Sequence, residues 1–134
     1  MDDIFVARLM SSGVISVTPD TLVEEAADTL LEEQIGSLVV VDGNNQLKGI
    51  LTSTDFVRIV SKSQPKAQTT VEKYMTDQVV TVEAQDPIRD AADKMITYNI
   101  HHLPVVDDKE GVIGMLSTTD LTAYLSDVEK PSPA

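Results

Sequence analysis

The strongest constraint on how this chain folds is that its sequence repeats. Shifted by 65 positions, the sequence aligns with itself without a gap, from Val6 against Val71 to Val60 against Leu125. The longest identical segments are Ala26–Asp28 with Ala91–Asp93 and Val40–Asp42 with Val105–Asp107. Self-similarity at a fixed period is the signature of repeated supersecondary units. The sequence therefore predicts two copies of one unit, called here repeat 1 (residues 6–60) and repeat 2 (residues 71–125).

Both repeats show the pattern of a β-α-β-β-α unit. A β-branched run precedes apolar residues at helical spacing, then two near-continuously apolar runs around a turn, and a final helical segment. Asp20 or Thr21 and Asp86 are predicted to cap the first helices. The predicted elements are Val14–Val17, Leu22–Ile35, Ser37–Val41, Leu47–Leu51 and Ser53–Val60, then Val79–Val82, Ile88–Ile100, Leu103–Val106, Val112–Leu116 and Thr118–Leu125.

The size and patterning of the repeats predict the fold class. Each repeat has about 55 residues, and helices on one side of its small sheet leave the other face apolar. Two repeats can cover each other through those faces. We therefore expect an α/β (α+β) fold, two β-α-β-β-α repeats packed sheet to sheet with pseudo-twofold symmetry and two related clefts between them. The apolar hairpin strands should be buried on both faces.

Two segments of each repeat resemble CBS (cystathionine β-synthase-type) domains. Residues 49–55 and 114–120 are similar to the family's Gly-x-x-Thr/Ser-x-x-Asp motif, and residues 38–42 and 102–107 to its hLPVVD strand, where h is hydrophobic. The resemblance implies a Bateman module, a pair of CBS domains with up to two nucleotide sites. On this basis we expect CBS domain 1 at residues 5–62, a linker at 63–69, CBS domain 2 at 70–126 and a disordered tail at 127–134.

The resemblance also implies a ligand: AMP, ADP, ATP or S-adenosylmethionine, bound for regulation rather than as a cofactor. Hydroxyls at the motif can donate to phosphate, and Asp55 or Asp120 can accept two hydrogen bonds from a ribose. Adenine is expected against the first strand and the hLPV segment, and Gly49 and Gly114 would relieve crowding or allow an unusual backbone angle near the ligand. The candidate ligand-binding residues are Ile15, Ser16, Leu38, Thr52, Thr54, Asp55, Val80, Thr81, His101, His102, Leu103, Pro104, Ser117, Thr119 and Asp120.

The two sites are expected to differ. Repeat 2 has His101, His102 and Pro104 where repeat 1 has Gly, Ser and Val. Histidines there can donate to phosphate, or they are simply half-exposed polar residues. We predict that the site with Ser117, Asp120 and the histidines is the better one. Few basic residues are near the motifs (Lys48, Arg58, Arg89 and Lys109), which favours AMP or S-adenosylmethionine over ATP.

The amino-acid composition limits the classes of partner that this chain is expected to bind. With 10 Lys and Arg against 22 Asp and Glu, the net charge is −12, which argues against nucleic-acid binding because a phosphate backbone requires a basic surface. The acidity fits an ordinary solvated surface or adaptation to high salt. The chain has no cysteine, no apolar run of the roughly 20 residues that cross a membrane, and an acidic start at Met1 to Asp3. We expect a cytoplasmic protein with no membrane contact.

Other functions remain open beside the nucleotide sensor. Ser, Thr and Asp at a helix start are also ordinary caps, and the fold can serve as a ligand-free interaction or dimerisation module. An enzyme is not expected, because the chain lacks Cys, a phosphate-binding Gly-rich loop and any His beyond one adjacent pair. That pair points to opposite faces of a strand, so no metal site is expected. The expected partners are an adenosine-type ligand, a second copy of the chain in a homodimer and an unknown effector protein.

Overall fold

The computed structural model describes residues 4–61 and 68–128, which form two compact units. The first-repeat unit contains residues 15–61, 68–79 and 110–112, and the second-repeat unit contains residues 4–14, 80–109 and 113–128. The segment that opens each repeat thus belongs to the unit of the other repeat. The elements are α1 (Val6–Leu9), β1 (Ser16–Val17), α2 (Val23–Glu33), β2 (Ser37–Val41), β3 (Leu47–Thr52), α3 (Ser53–Ser61), α4 (Val71–Tyr74), α5 (Ile88–Tyr98), β4 (His102–Asp107), β5 (Gly111–Ser117) and α6 (Thr118–Val128).

A three-stranded sheet in the order β1-β2-β3 forms the first-repeat unit. Strand β2 pairs in parallel with β1 and antiparallel with β3, and all five of its residues are buried. Helix α2 buries Val23, Ala26 and Leu30, whose spacing of three and four residues places them on one face. The mixed α/β class predicted from the sequence is confirmed.

The turn between β2 and β3 is closed by Asp42. Its carboxylate accepts hydrogen bonds from the backbone N–H groups of Asn44 (2.9 Å) and Gln46 (3.0 Å). The bond from Gln46, then that from Asn44, holds the pKa of Asp42 below its ordinary value, and Lys48 at 3.7 Å adds a smaller effect. The predicted hairpin therefore forms around a local side-chain turn.

The second-repeat unit repeats this arrangement with a shorter sheet. Strands β4 and β5 pair, while the predicted first strand is reduced to one parallel bridge between Val82 and Val105. That bridge is equivalent to the pairing of Val17 with Val40 in the other unit. The core of this unit consists of Val6, Val82, Ala91, Met95, Leu103, Val105 and Leu116.

Two glycines of the repeated motif let the opening segments pack against the strands. A Cβ atom on Gly49 would lie 2.6 Å from Met75 Sδ and 2.9 Å from the Thr76 carbonyl oxygen. On Gly114 it would lie 2.5 Å from Met10 Sδ and 3.0 Å from the carbonyl oxygen of Ser11. Among the described glycines only Gly111 has a positive φ. The expectation of an unusual backbone angle at Gly49 and Gly114 is wrong, and the crowding that they relieve comes from the protein itself.

The predicted helix caps are also wrong. Leu22 and Pro87 hold the N-cap positions of α2 and α5, and neither side chain caps its helix. Asp86 instead accepts a hydrogen bond from the backbone N–H of Glu83 (2.9 Å), and the Thr21 hydroxyl accepts one from Thr18 N–H (3.1 Å). These side chains close the turn before each helix because they lie one or two residues too early to reach its free N–H groups.

Three further expectations need correction. The first strand of repeat 1 is only Ser16–Val17. Strand β5 alternates between buried and half-buried residues, so it is not buried on both faces throughout. Helix α6 runs to Val128, so residues 127 and 128 are helical rather than part of a disordered tail, and residues 62–67 and 129–134 lie outside the described residues. Within the described ranges, no helix combines the length and the apolar character needed to cross a bilayer.

Candidate functional site

In the second-repeat unit, the motif residues meet where β5 ends and α6 begins. The backbone N–H of Ser117 donates to Asp120 Oδ2 (2.8 Å), and the backbone N–H of Asp120 donates to the Ser117 hydroxyl (3.2 Å). The two side chains satisfy backbone donors at the helix start reciprocally, as in a capping box. The capping role considered from the sequence is therefore present. Among the described residues Oδ1 of Asp120 has no partner, and because the residue is only half-buried, this oxygen can accept further hydrogen bonds.

In the first-repeat unit, the equivalent carboxylate is more fully occupied. Asp55 Oδ2 accepts from the Thr52 backbone N–H (2.8 Å) and the Thr52 hydroxyl (3.1 Å). Its other oxygen, Oδ1, pairs with the guanidinium of Arg58 at 3.4 Å. Asp55 is 7% exposed. The same motif thus yields a carboxylate with both oxygens engaged in one unit and with one free oxygen in the other.

The two histidines lie beside the second-repeat motif. The backbone N–H of Thr118 donates to the carbonyl oxygen of His101 (3.0 Å), which joins the start of α6 to the residue before β4. His101 is exposed and His102 is half-buried. Burial is the largest cause of a lowered pKa at His102, the neighbouring His101 adds to it, and Asp120 opposes it. His102 is therefore neutral at pH 7, with one N–H to donate and one nitrogen to accept.

The predicted adenine surface lies partly in the protein core. Leu38, Leu103 and Pro104 are among the largest fully buried side chains. The Thr81 carbonyl oxygen accepts a hydrogen bond from Lys94 Nζ at 2.8 Å, and both Val80 and Thr81 are half-buried. In repeat 1, Ile15 is half-buried and Ser16 exposed. Contact of any of these residues with a ligand remains a prediction.

Two motif hydroxyls remain accessible, because Thr54 and Thr119 are exposed on the first turns of α3 and α6. Lys94 was missed by the sequence analysis, since its counterpart in the alignment is Thr29 and nothing in the pattern shows that it reaches Thr81. Among the described residues, no group of three or more His, Cys, Asp or Glu side chains is arranged to hold a metal ion.

The first-repeat unit also contains a cavity of about 200 Å³ beside Asp55. Its lining residues are Asp55, Arg58, Ile59, Lys73, Tyr74 and Thr76. The last three come from α4 and the residues after it, and they are not among the residues predicted from the sequence. One signal was available: Arg58 and Lys73 align with Ala123 and Arg8, so the first-repeat unit has two cations at these positions and the second-repeat unit has one.

The family model for the CBS domain matches this chain twice, at residues 6–62 and 71–127. The chain belongs to the CBS domain family. The resemblance recognised in its motifs is confirmed. Among curated relatives, this CBS pair is 35% identical over 123 residues to an uncharacterised 17.7 kDa protein of Acidianus ambivalens, a match that covers 92% of this chain and 74% of that protein.

Two solved structures similar to this CBS pair contain adenosine derivatives. The CBS domain pair of protein MJ0100, in complex with 5′-methylthioadenosine and S-adenosyl-L-methionine, superposes with a TM-score of 0.86 at 30% identity, covering 94% of this chain and 98% of that chain. The structure of CBSX2 in complex with AMP has a TM-score of 0.82 at 25% identity, covering 94% of this chain and 98% of that chain.

Some relatives of the CBS pair are much longer proteins. It is 32% identical over 123 residues to homoserine O-acetyltransferase of Methanohalobium evestigatum, and the match spans only 24% of that protein. The similarity is therefore to a part of that enzyme's length.

Proposed function

We propose that this CBS pair is a regulatory module that binds an adenosine-type ligand, namely AMP, ADP, ATP or S-adenosylmethionine, and acts on a partner protein. The observation that carries the proposal is the free carboxylate oxygen of Asp120. Asp120 is fixed in direction by Ser117 and lies near a neutral, half-buried His102. A pre-positioned carboxylate of this kind suits two vicinal hydroxyls, which a ribose offers.

The comparisons support the ligand class. Two similar CBS pairs are described with S-adenosyl-L-methionine, 5′-methylthioadenosine and AMP, whose common part is adenosine. AMP or S-adenosylmethionine is proposed over ATP because Lys94 is engaged with Thr81 and the chain has 10 Lys and Arg against 22 Asp and Glu. A triphosphate would bring more negative charge into that field than a monophosphate.

The proposal assigns no catalysis to the CBS pair. Its similarity to the acetyltransferase spans only 24% of that enzyme, so the activity named for the whole enzyme is not carried over. The boundaries at residues 5–62, 63–69 and 70–126 and a cytoplasmic location are retained as parts of the proposal.

The test is ligand-dependent thermal unfolding with AMP, ADP, ATP, S-adenosylmethionine and NAD, followed by calorimetric titration of the best ligand. A ligand that binds only the folded protein raises the melting temperature with concentration. We expect Asp120→Asn to weaken adenosine-type binding about tenfold or more, because a charged acceptor is lost while the amide oxygen can keep the cap. The matched variant Asp55→Asn should change the affinity much less. Equal effects of the two variants would contradict the assignment to Asp120.

A second candidate function, a ligand-free interaction module, is favoured by one observation. Large apolar side chains are exposed at equivalent positions of both repeats, Leu31 (77%) with Ile96 (80%) and Val60 (69%) with Leu125 (42%). Repeated apolar surface of this kind is typical of protein contacts. We propose that these residues support a homodimer whether or not a ligand binds.

The homodimer is tested by sedimentation velocity. The double variant Leu31→Glu with Ile96→Glu should shift a dimer to a monomer, because charge is placed on both repeated positions. Gln85→Glu, at an exposed loop residue, is the control and should leave the assembly unchanged. A wild-type protein that is monomeric at high concentration would remove this proposal. No ligand response together with a stable dimer would favour the interaction module.

A further inference from the structure

Two methionines occupy equivalent positions in the two units, and each packs against a glycine of the repeated motif. Met10 and Met75 are 65 positions apart, which is the period of the repeat. A Cβ atom on Gly114 would lie 2.5 Å from Met10 Sδ, and a Cβ atom on Gly49 would lie 2.6 Å from Met75 Sδ. In each unit, therefore, the sulfur atom fills the space that a side chain at the glycine position would need.

The backbone of each methionine is tied to a buried valine of the helix before it. The backbone N–H of Met10 donates to the carbonyl oxygen of Val6 at 3.0 Å, and that of Met75 donates to the carbonyl oxygen of Val71 at 2.9 Å. Both valines are completely buried. Each methionine thus begins from a fixed point in the core of its unit, and its side chain cannot leave the glycine without breaking this packing.

The residue after each methionine pairs with the residue after the glycine. Ser11 and Met115 exchange two backbone hydrogen bonds of 2.9 Å, a pairing called here the Ser11 bridge. Thr76 and Ile50 also exchange two of 2.9 Å, and this pairing is called the Thr76 bridge. Each is an isolated bridge rather than part of a longer ladder. The attachment of residues 6–11 to β5 and of residues 71–76 to β3 therefore depends on the side-chain packing beside it.

Both methionines are open to small molecules from solvent. Met10 and Met75 are half-buried, and each packs against the core of its unit. Met95, by contrast, is 5% exposed within the core of the second-repeat unit. Oxidation of a side-chain sulfur depends on its exposure. A dissolved oxidant should therefore reach Met10 and Met75 before it reaches Met95.

We propose that Met10 and Met75 are paired oxidation sites, through which a peroxide loosens residues 6–11 from β5 and residues 71–76 from β3. With hydrogen peroxide, a sulfur lone pair attacks one peroxide oxygen, an S–O bond forms and the O–O bond breaks. Sulfur loses two electrons, and the departing hydroxide takes up a proton to become water. The product is a methionine sulfoxide.

The sulfoxide does not fit the place that the thioether fills. It is polar and carries an additional oxygen, which disrupts apolar packing. That oxygen also needs a hydrogen-bond donor, and the N–H groups of Ile50 and Met115, directly after the two glycines, are already engaged in the bridges. Oxidation should therefore weaken both bridges. This inference does not rest on the proposed adenosine binding.

The test treats the full chain with hydrogen peroxide, locates the sulfoxides by peptide mass spectrometry and follows amide hydrogen exchange. We expect sulfoxide at Met10 and Met75 before Met95, and at least about tenfold faster exchange of the bridge amides. Reduction by methionine sulfoxide reductases of both epimer specificities should restore slow exchange.

Leucine variants assign the effect to each methionine, because leucine has a similar volume and no sulfur to oxidise. After peroxide treatment, Met10→Leu should keep slow exchange at the Ser11 bridge and lose it at the Thr76 bridge. Met75→Leu should show the reverse. The matched control is Met115→Leu, which removes a half-buried methionine of β5 itself. It should respond to peroxide at both bridges as the wild type does.

Three results would overturn the proposal. The first is sulfoxide at Met95 before Met10 and Met75. The second is unchanged exchange in wild-type protein whose Met10 and Met75 are fully converted to sulfoxide. The third is loss of both bridges in the oxidised double variant Met10→Leu with Met75→Leu, since another residue would then be responsible. No ligand is present in any of these experiments, so their outcome is separate from that of the adenosine proposal.

Discussion

The two units of this CBS pair present the same motif in different electrostatic settings. In the first-repeat unit, Asp55 is 7% exposed and both of its oxygens are engaged, by Thr52 and by Arg58. In the second-repeat unit, Asp120 is half-buried, has one free oxygen and lies near the neutral His102. The residue three positions after each Asp, Arg58 or Ala123, makes much of this difference. Two copies of the same motif therefore do not produce equivalent sites.

The packing around the motif is shared, and this supports the largest expected effect. Gly49→Ala and Gly114→Ala should each lower the free energy of unfolding by about 1–3 kcal/mol, since the added Cβ would meet a methionine and a backbone carbonyl oxygen. Denaturant unfolding measures both. Gly43→Ala is the control, because nothing lies within 4 Å of its added Cβ. If only one motif glycine is sensitive, the units differ in packing as well as in charge.

Exchanging the residues three positions after the motif carboxylates should make the adenosine affinities of the two sites more alike. Arg58→Ala frees one oxygen of Asp55, and Ala123→Arg supplies a cation to Asp120. Exposed ion pairs contribute about 0.2–1 kcal/mol, so each change should shift adenosine affinity by about fivefold at most, upward at Asp55 and downward at Asp120. Calorimetry with adenosine, which has no phosphate group, measures this effect without a contribution from phosphate contacts. An unchanged affinity in both variants would show that Arg58 does not set the difference.

The smallest expected effect is the pH dependence from His102. Its pKa in the folded protein lies below the ordinary value of 6.5, mainly because of burial. As the pH falls below that value, the unfolded chain takes up the proton first, so stability should decrease from pH 7 toward pH 5. His102→Gln should reduce this slope, measured by denaturant unfolding across that range. His101→Gln should change the slope less, because His101 is exposed and is only the second cause of the lowered pKa of His102. Equal slopes in wild type and His102→Gln would contradict the assignment.

The sequence predicted the repeats, the element order and the motif junctions because each of these depends on local spacing. The hydrogen bonds between Ser117 and Asp120 span three residues and follow from a strand meeting a helix. The cap predictions failed at Asp20 and Asp86, since a turn and a helix start use the same residue types and differ only in register. The cavity was not predictable, because only the fold brings Lys73 and Asp55, which are distant in sequence, to the lining of one cavity. The ion pair between Asp55 and Arg58 could have been predicted, because residues three positions apart on a helix lie on the same face.

Helices α1 and α4 each belong to the unit built on the other repeat, and this limits how the chain can be cut into fragments that fold. Val6 and Val71 are both completely buried, each in the unit built on the other repeat. A fragment that ends or begins at the linker would contain one of these two helices but not the core against which that helix packs. It would also lack the helix that completes its own core. Two such fragments, or two copies of one, can complete their cores only by trading helices, as in domain swapping. The smallest piece with a nearly whole core starts at residue 15 and ends at residue 79, across the boundary between the repeats.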